Sequence, residues 1–122
     1  MILADTSVWV DHLRHGDDAL AALLERRQVV VHPWVIGELA LGSIRNRQVI
    51  LGSLGELPAA VVADHAEVMA LVERHQLWSL GVGYVDVHLL ASVLLTPDTH
   101  LWSRDRALAD AARRFERGAD LA

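Results

Sequence analysis

The chain contains no cysteine. That excludes a disulfide framework, a thiolate zinc site and a cysteine nucleophile. It contains no lysine either, and all 11 basic residues are arginine. Phosphate-loop lysines, Schiff-base lysines and any receiver-type mechanism that needs a lysine are thereby excluded. No apolar run approaches the ~20 residues of a membrane-spanning helix. The start, Met1 to Asp5, has no basic stretch and is expected not to be a signal peptide. There is no G-x-S-x-G for a serine hydrolase and no H-E-x-x-H for zinc; His12 and His15 form an i,i+3 pair without a third ligand nearby in sequence. Gly81-Val82-Gly83 lacks the third glycine of a phosphate cradle. No repeat, low-complexity tract or linker interrupts the chain, and the stretch from Gly52 to Pro58 is too short to serve as a domain linker.

What is present is 122 residues, 52% of them hydrophobic, with a formal charge of −5. One domain spanning residues 1–122 is expected, with a core large enough to need no staple. A cytoplasmic location is the default expectation. The apolar share stands slightly above the usual ~45–50%, which suggests surface covered by a partner or a second copy.

Short apolar segments alternate with helical patterns. Ile2 to Ala4 reads as a buried strand ending at Asp5, and Ser7 to Leu13 as a helix. Asp17 and Asp18 announce a helix over Ala19 to Leu24. Val29 to Val31 is a second strand, and Pro33 opens a helix running to about Ile44. Gln48 to Leu54 is a further short helix, while Ala59 to Val62 fits a strand or a helix start. Asp64 to Leu77 and Val85 to Leu95 are helical, the latter apolar almost all round and so central. His100 to Ser103 is a third strand, and Arg106 to Arg117 closes the chain as a helix. The pattern predicts an α/β fold with helices on both faces of a short, mostly parallel sheet. Ligands of such sheets bind beyond the carboxyl ends of the strands.

Four acids stand out by position. Asp5 follows the first strand directly, and Asp105 comes just after the third. On a helical projection Glu38 shares a face with Trp34, Val35 and Leu41. Asp86 shares one with Leu89, Leu90 and Val93, while His88 and Ser92 point the other way. Each acid also has a plainer reading. Asp5, Asp86 and Asp105 fit helix caps, and Glu38 fits an ion pair with Arg45. As a set, two strand-end acids and two acids on apolar helix faces can converge on one pocket. Converging carboxylates repel unless a cation holds them, and oxygen ligands without sulfur select Mg²⁺ or Mn²⁺.

In this order, Ile2-Leu3-Ala4-Asp5-Thr6-Ser7, Gly37-Glu38-Leu39, the stretch Tyr84 to Ala91 and the stretch Leu101 to Leu108 resemble a PIN domain. Among PIN domains the chain is similar to the VapC toxins of VapBC toxin–antitoxin pairs. The resemblance implies a three-layer α/β/α PIN fold and a Mg²⁺- or Mn²⁺-dependent endoribonuclease. It carries the four acidic site positions onto Asp5, Glu38, Asp86 and Asp105, with Asp5 and Asp86 the surest metal ligands. Ser7 and Ser103 match supporting hydroxyls, Ser103 standing where threonine is commoner. The resemblance further implies a homodimer, a VapB-type antitoxin partner and an RNA substrate. A catalytically silent RNA- or partner-binding domain and a housekeeping RNA-processing nuclease are the alternatives.

A net acidic chain is an unusual nucleic-acid binder. However, the 16 acids include the four candidates, and the rest nearly balance the arginines. Arg45, Arg47, Arg104 and Arg106 are candidate RNA contacts, because guanidinium forks suit phosphate oxygens. Of the four tryptophans, Trp34 and Trp102 are expected in the core, and Trp9, with Val10 and Leu13, is a candidate lining for an antitoxin groove.

Overall fold

The computed structural model describes residues 1–122. Three strands, β1 (Ile2–Ala4), β2 (Val29–Val30) and β3 (His100–Trp102), form one sheet in the order β2-β1-β3. Both pairings are parallel, with Ile2 opposite Val29 on one side and opposite His100 on the other. β1 is therefore central, and its Leu3 and Ala4 are completely buried. Such a strand needs apolar side chains on both faces, which is why it reads as a run and not as an alternation.

Single bridges widen the sheet at both edges. Val31 pairs in parallel with Ala59, and Leu101 with Gly118. The first bridge settles the ambiguous segment after Pro58 as extended chain. The second explains why the last helix stops short of Arg117: Leu101 donates to the Arg117 carbonyl at 2.7 Å, so that residue belongs to the sheet edge.

Seven helices surround the sheet: α1 (Thr6–His15), α2 (Asp18–Glu25), α3 (Pro33–Ala40), α4 (Arg47–Glu56), α5 (His65–His75), α6 (Tyr84–Leu95) and α7 (Arg106–Arg114). Their starts follow local chemistry. Asp17 caps α2 through the Leu20 amide, and Asp64 with Glu67 forms a reciprocal capping box on α5. Pro33 occupies the first turn of α3, where a missing N–H costs nothing. α3 ends earlier than its apolar pattern suggests. Leu41 and Gly42 bond back three residues to Glu38 and Leu39, and the Arg47 guanidinium takes the Ala40 carbonyl. α1 packs on α3 and α3 on α4, while α5 packs on α6, and α6 and α7 lie against β3. From Val87 to Val93, α6 is buried on every side, so His88 and Ser92 are as enclosed as Leu89 and Leu90. The chain has the α/β architecture of a PIN-like fold.

Candidate active site

The parallel sheet sends the carboxyl ends of β1 and β3 to the same side, each followed at once by a helix. Asp5 leaves β1 and caps α1, accepting the Ser7 amide at 3.0 Å. Asp105 follows β3 and caps α7, accepting the Leu108 amide at 3.2 Å. Asp86 stands in the first turn of α6 and accepts the Gly83 amide at 3.0 Å. Three aspartates thus sit at three helix N-termini, where the positive end of each helix favours a carboxylate. The capping reading holds for all three aspartates, and it leaves their position at the carboxyl end of the sheet unchanged.

Hydroxyls tie the cluster together. Ser7 Oγ donates to Asp5 Oδ1 at 2.5 Å, and Ser103 Oγ donates to Asp5 Oδ2 at 2.6 Å. Ser103 Oγ in turn accepts the Asp105 amide at 2.9 Å, and Ser7 Oγ accepts the Arg104 amide at 3.1 Å. From α3, Glu38 joins through Oε1, which accepts the Thr6 hydroxyl at 2.8 Å. In Glu38, Asp86 and Asp105 one carboxylate oxygen is held by these donors and the other has no protein partner.

Asp86 feels the other three acids. Burial raises the Asp86 carboxyl above the usual carboxylate range, and the charges of Asp105, Asp5 and Glu38 add to it, against the lowering effect of the Gly83 amide. No arginine relieves this. The ion pairs of the chain join Arg104 to Asp11 and Asp17, and Asp110 to Arg106 and Arg113; none includes a member of the cluster. Glu38 makes no pair with Arg45. No three His, Asp or Glu side chains close into a ready-made cage. An oxygen-only, open and uncompensated set of this kind fits Mg²⁺ or Mn²⁺, which retain waters and take only some of their shell from protein.

Over residues 2–114 the sequence matches the PIN domain family. It is 48% identical over 122 residues, the whole chain and 97% of the relative, to Ribonuclease VapC32 of Mycobacterium tuberculosis strain CDC 1551 / Oshkosh. The same identity and coverage hold for Ribonuclease VapC32 of strain ATCC 25618 / H37Rv. The chain belongs to the VapC family of PIN domains.

Around the acids, this PIN domain departs from expectation in three places. Of the apolar neighbours expected on the Glu38 face, Val35 is buried, but Trp34 is 38% exposed and Leu41, just past the end of α3, is 91% exposed. The reason is that α3 is apolar on several sides and turns the stripe of Val35 and Leu39 to the core. Trp102 is buried as expected, but Trp34 is a surface residue. Arg104 does not reach into open solvent beside Asp105. Its guanidinium is taken by Asp11 at 2.7 Å and by Asp17, and it lies over Trp102.

Arg14, Arg45 and Arg106 are freer. Glu38 lines a cavity of about 570 Å³ with Arg14, His15 and Arg45. Arg106 is almost fully exposed, with only a long 3.9 Å contact to Asp110. Arg47 is committed to the Ala40 carbonyl. A smaller apolar cavity of about 200 Å³ is lined by Trp9, Leu13, Leu24, Ile50, Leu54 and Leu57 between α1, α2 and α4. Arg14 and His15 are missed by sequence reasoning; their position at the end of α1, beside α3, carries no local signal.

Proposed function

We propose that this PIN domain is the toxin endoribonuclease of a type II toxin–antitoxin pair, with the whole chain acting as one domain in the cytoplasm. The carrying observation is a set of four carboxylates without a single cationic partner at the carboxyl end of a parallel sheet, with the Asp86 carboxyl raised by burial and by the charges of the other three. The name Ribonuclease VapC32 of its relatives supports the same reading.

Asp5 and Asp86 would hold Mg²⁺ or Mn²⁺, with Asp105 and Glu38 completing the set directly or through water. When bound, such an ion supplies activation of water and neutralises charge developing on phosphate. The chain's own residues do the rest. Ser7 and Ser103 fix Asp5 through both of its oxygens, so its orientation is set before substrate arrives. Glu38, steadied by Thr6 and open to the basic cavity, orients the attacking water. Arg45 and Arg14 draw phosphate towards it. Water adds across the P–O3′ bond and leaves a 5′-phosphate and a 3′-hydroxyl.

The partners follow from the surface. The apolar cavity at Trp9 and Leu13 suits an apolar segment of a VapB-type antitoxin. A homodimer fits the outward apolar residues. No helix is long and apolar enough to cross a membrane. Mapping the end groups of RNA fragments tests the chemistry: 5′-phosphates are expected, and 2′,3′-cyclic phosphates would overturn water as the nucleophile.

A further inference from the structure

Trp34 and Tyr84 are large aromatics left 38% and 43% exposed. Their ring centroids are 5.8 Å apart. Neither ring is loose. Trp34 lies 4.1 Å from the His88 ring, which is itself buried, and Tyr84 meets the same ring edge-on at 4.7 Å. The Tyr84 hydroxyl is 2.5 Å from His65 Nδ1. His32 continues the series inward, 6.4 Å from His88. A column of aromatic rings thus runs from the core to the surface and ends in two part-exposed rings tilted 47° to each other.

The place of this column matters. Trp34 precedes Glu38 by one turn on the same face of α3. Tyr84 opens α6, whose first turn carries Asp86. Trp34 packs against Tyr84 and His88, so α3, which carries Glu38, and the first turn of α6, which carries Asp86, are neighbours. Meanwhile two of the arginines nearest the acids, Arg104 and Arg47, are committed to protein groups, which leaves phosphate to Arg45 and Arg14 in the Glu38 cavity and to Arg106. An acidic nuclease with few phosphate contacts needs another source of affinity. Stacking supplies it, since every base has a π-face and the interaction requires no positive charge.

We propose that Trp34 and Tyr84 form a stacking platform for an unpaired nucleobase of single-stranded RNA beside the acid cluster. This inference rests on the ribonuclease reading given above. The platform selects unpaired RNA over duplex, because a base within a helix presents no free face.

The test is binding of labelled single-stranded A-tract and U-tract oligoribonucleotides to the full chain in EDTA, read by fluorescence anisotropy across a salt series. Trp34→Leu is expected to weaken binding about tenfold at low and high salt alike, leaving the salt slope unchanged. Trp34→Phe recovers most of the loss, Tyr84→Phe binds as wild type, and Tyr84→Leu weakens. Should Trp34→Leu fail to fold, the Tyr84 pair and Trp34→Phe carry the comparison. Wild-type affinity in folded Trp34→Leu and Tyr84→Leu overturns the platform alone. So does unchanged RNA affinity with a loss of self-association, which assigns the surface to a second copy. If the wild-type chain neither binds nor cuts RNA, the ribonuclease reading falls and the platform with it.

Discussion

Ser103 and Asp5, 98 residues apart in sequence, are joined by a hydrogen bond of 2.6 Å from the serine hydroxyl to Oδ2. The same hydroxyl accepts the Asp105 amide, so one serine aligns acids that follow β1 and β3. Removing it leaves Asp5, only 6% exposed, short of one donor. Ser103→Ala is expected to cost about 1–3 kcal/mol of stability, the range for an unmade buried bond. Activity is expected to fall about tenfold, with Ser103→Thr near wild type. Chemical denaturation and cleavage rate, measured on both variants, check this; an inactive Ser103→Thr would show that the methyl group is not tolerated.

Asp86 is held at a disadvantage by its surroundings. Its carboxyl is raised by burial and by Asp105, Asp5 and Glu38, so in the fold the charged form is disfavoured. Asp86→Asn keeps an oxygen for the Gly83 amide and removes the repulsion. The variant is expected to melt higher than wild type in EDTA while cleaving no RNA. Adding Mg²⁺ at about a hundred times its Kd is expected to stabilise the wild type by about 2.7 kcal/mol and the variant by much less. Calorimetric melts with and without the ion decide it.

His32 makes stability depend on pH. The residue is fully buried, its Nδ1 accepts the Trp34 amide, and its Nε2 has no partner. Burial, with His88 nearby, lowers its pKa from 6.5 to about 4. Burial lowers His88 in the same direction. A base with a depressed folded pKa stays neutral in the fold while the unfolded chain takes up the proton. Stability is therefore full above the unfolded value and declines as pH falls from about 6.5 towards 4. From pH 7 to pH 5 the loss from His32 is about 2 kcal/mol. Urea titrations at both pH values should show it, and His32→Asn should flatten the difference; an equal slope in the variant would assign the effect elsewhere.

Arg45 and Arg104 should behave differently although both flank the site. Arg104 joins Asp11 and Asp17, so Arg104→Ala is expected to lower stability by about 1 kcal/mol and leave the salt slope of RNA binding unchanged. Arg45 has no ion pair and shares the cavity of Glu38. Arg45→Ala is expected to lower the salt slope by about 1 and leave stability unchanged. Binding isotherms over a salt series separate the two.

Much of the fold is legible in the sequence because the signals are local. The buried run Ile2 to Ala4, the Asp17 cap, Pro33 at a first turn and the apolar segment of α6 each declare themselves within a few residues. Asp5 and Asp105 are readable because a strand end in a parallel sheet has a known side. What fails is what depends on a neighbouring element. A projection of α3 cannot say which of its apolar sides meets the core, and Trp34 and Leu41 lie exposed. Arg104 reads as a free cation because Asp11 and Asp17, which hold it, lie far away in sequence, Asp11 on α1 and Asp17 at the start of α2. The enclosure of His88 and Ser92 needs α6 to be covered on all sides, which no spacing within it reveals.

The most direct measurement is cleavage of total RNA by the purified chain beside Asp86→Asn, each with Mg²⁺, with Mn²⁺ and with EDTA. Discrete fragments from the wild type with either ion, none with EDTA and none from the folded variant are predicted. Intact RNA from the wild type in every condition, or equal cleavage by the variant, would contradict the assignment of the acid cluster as a nuclease site.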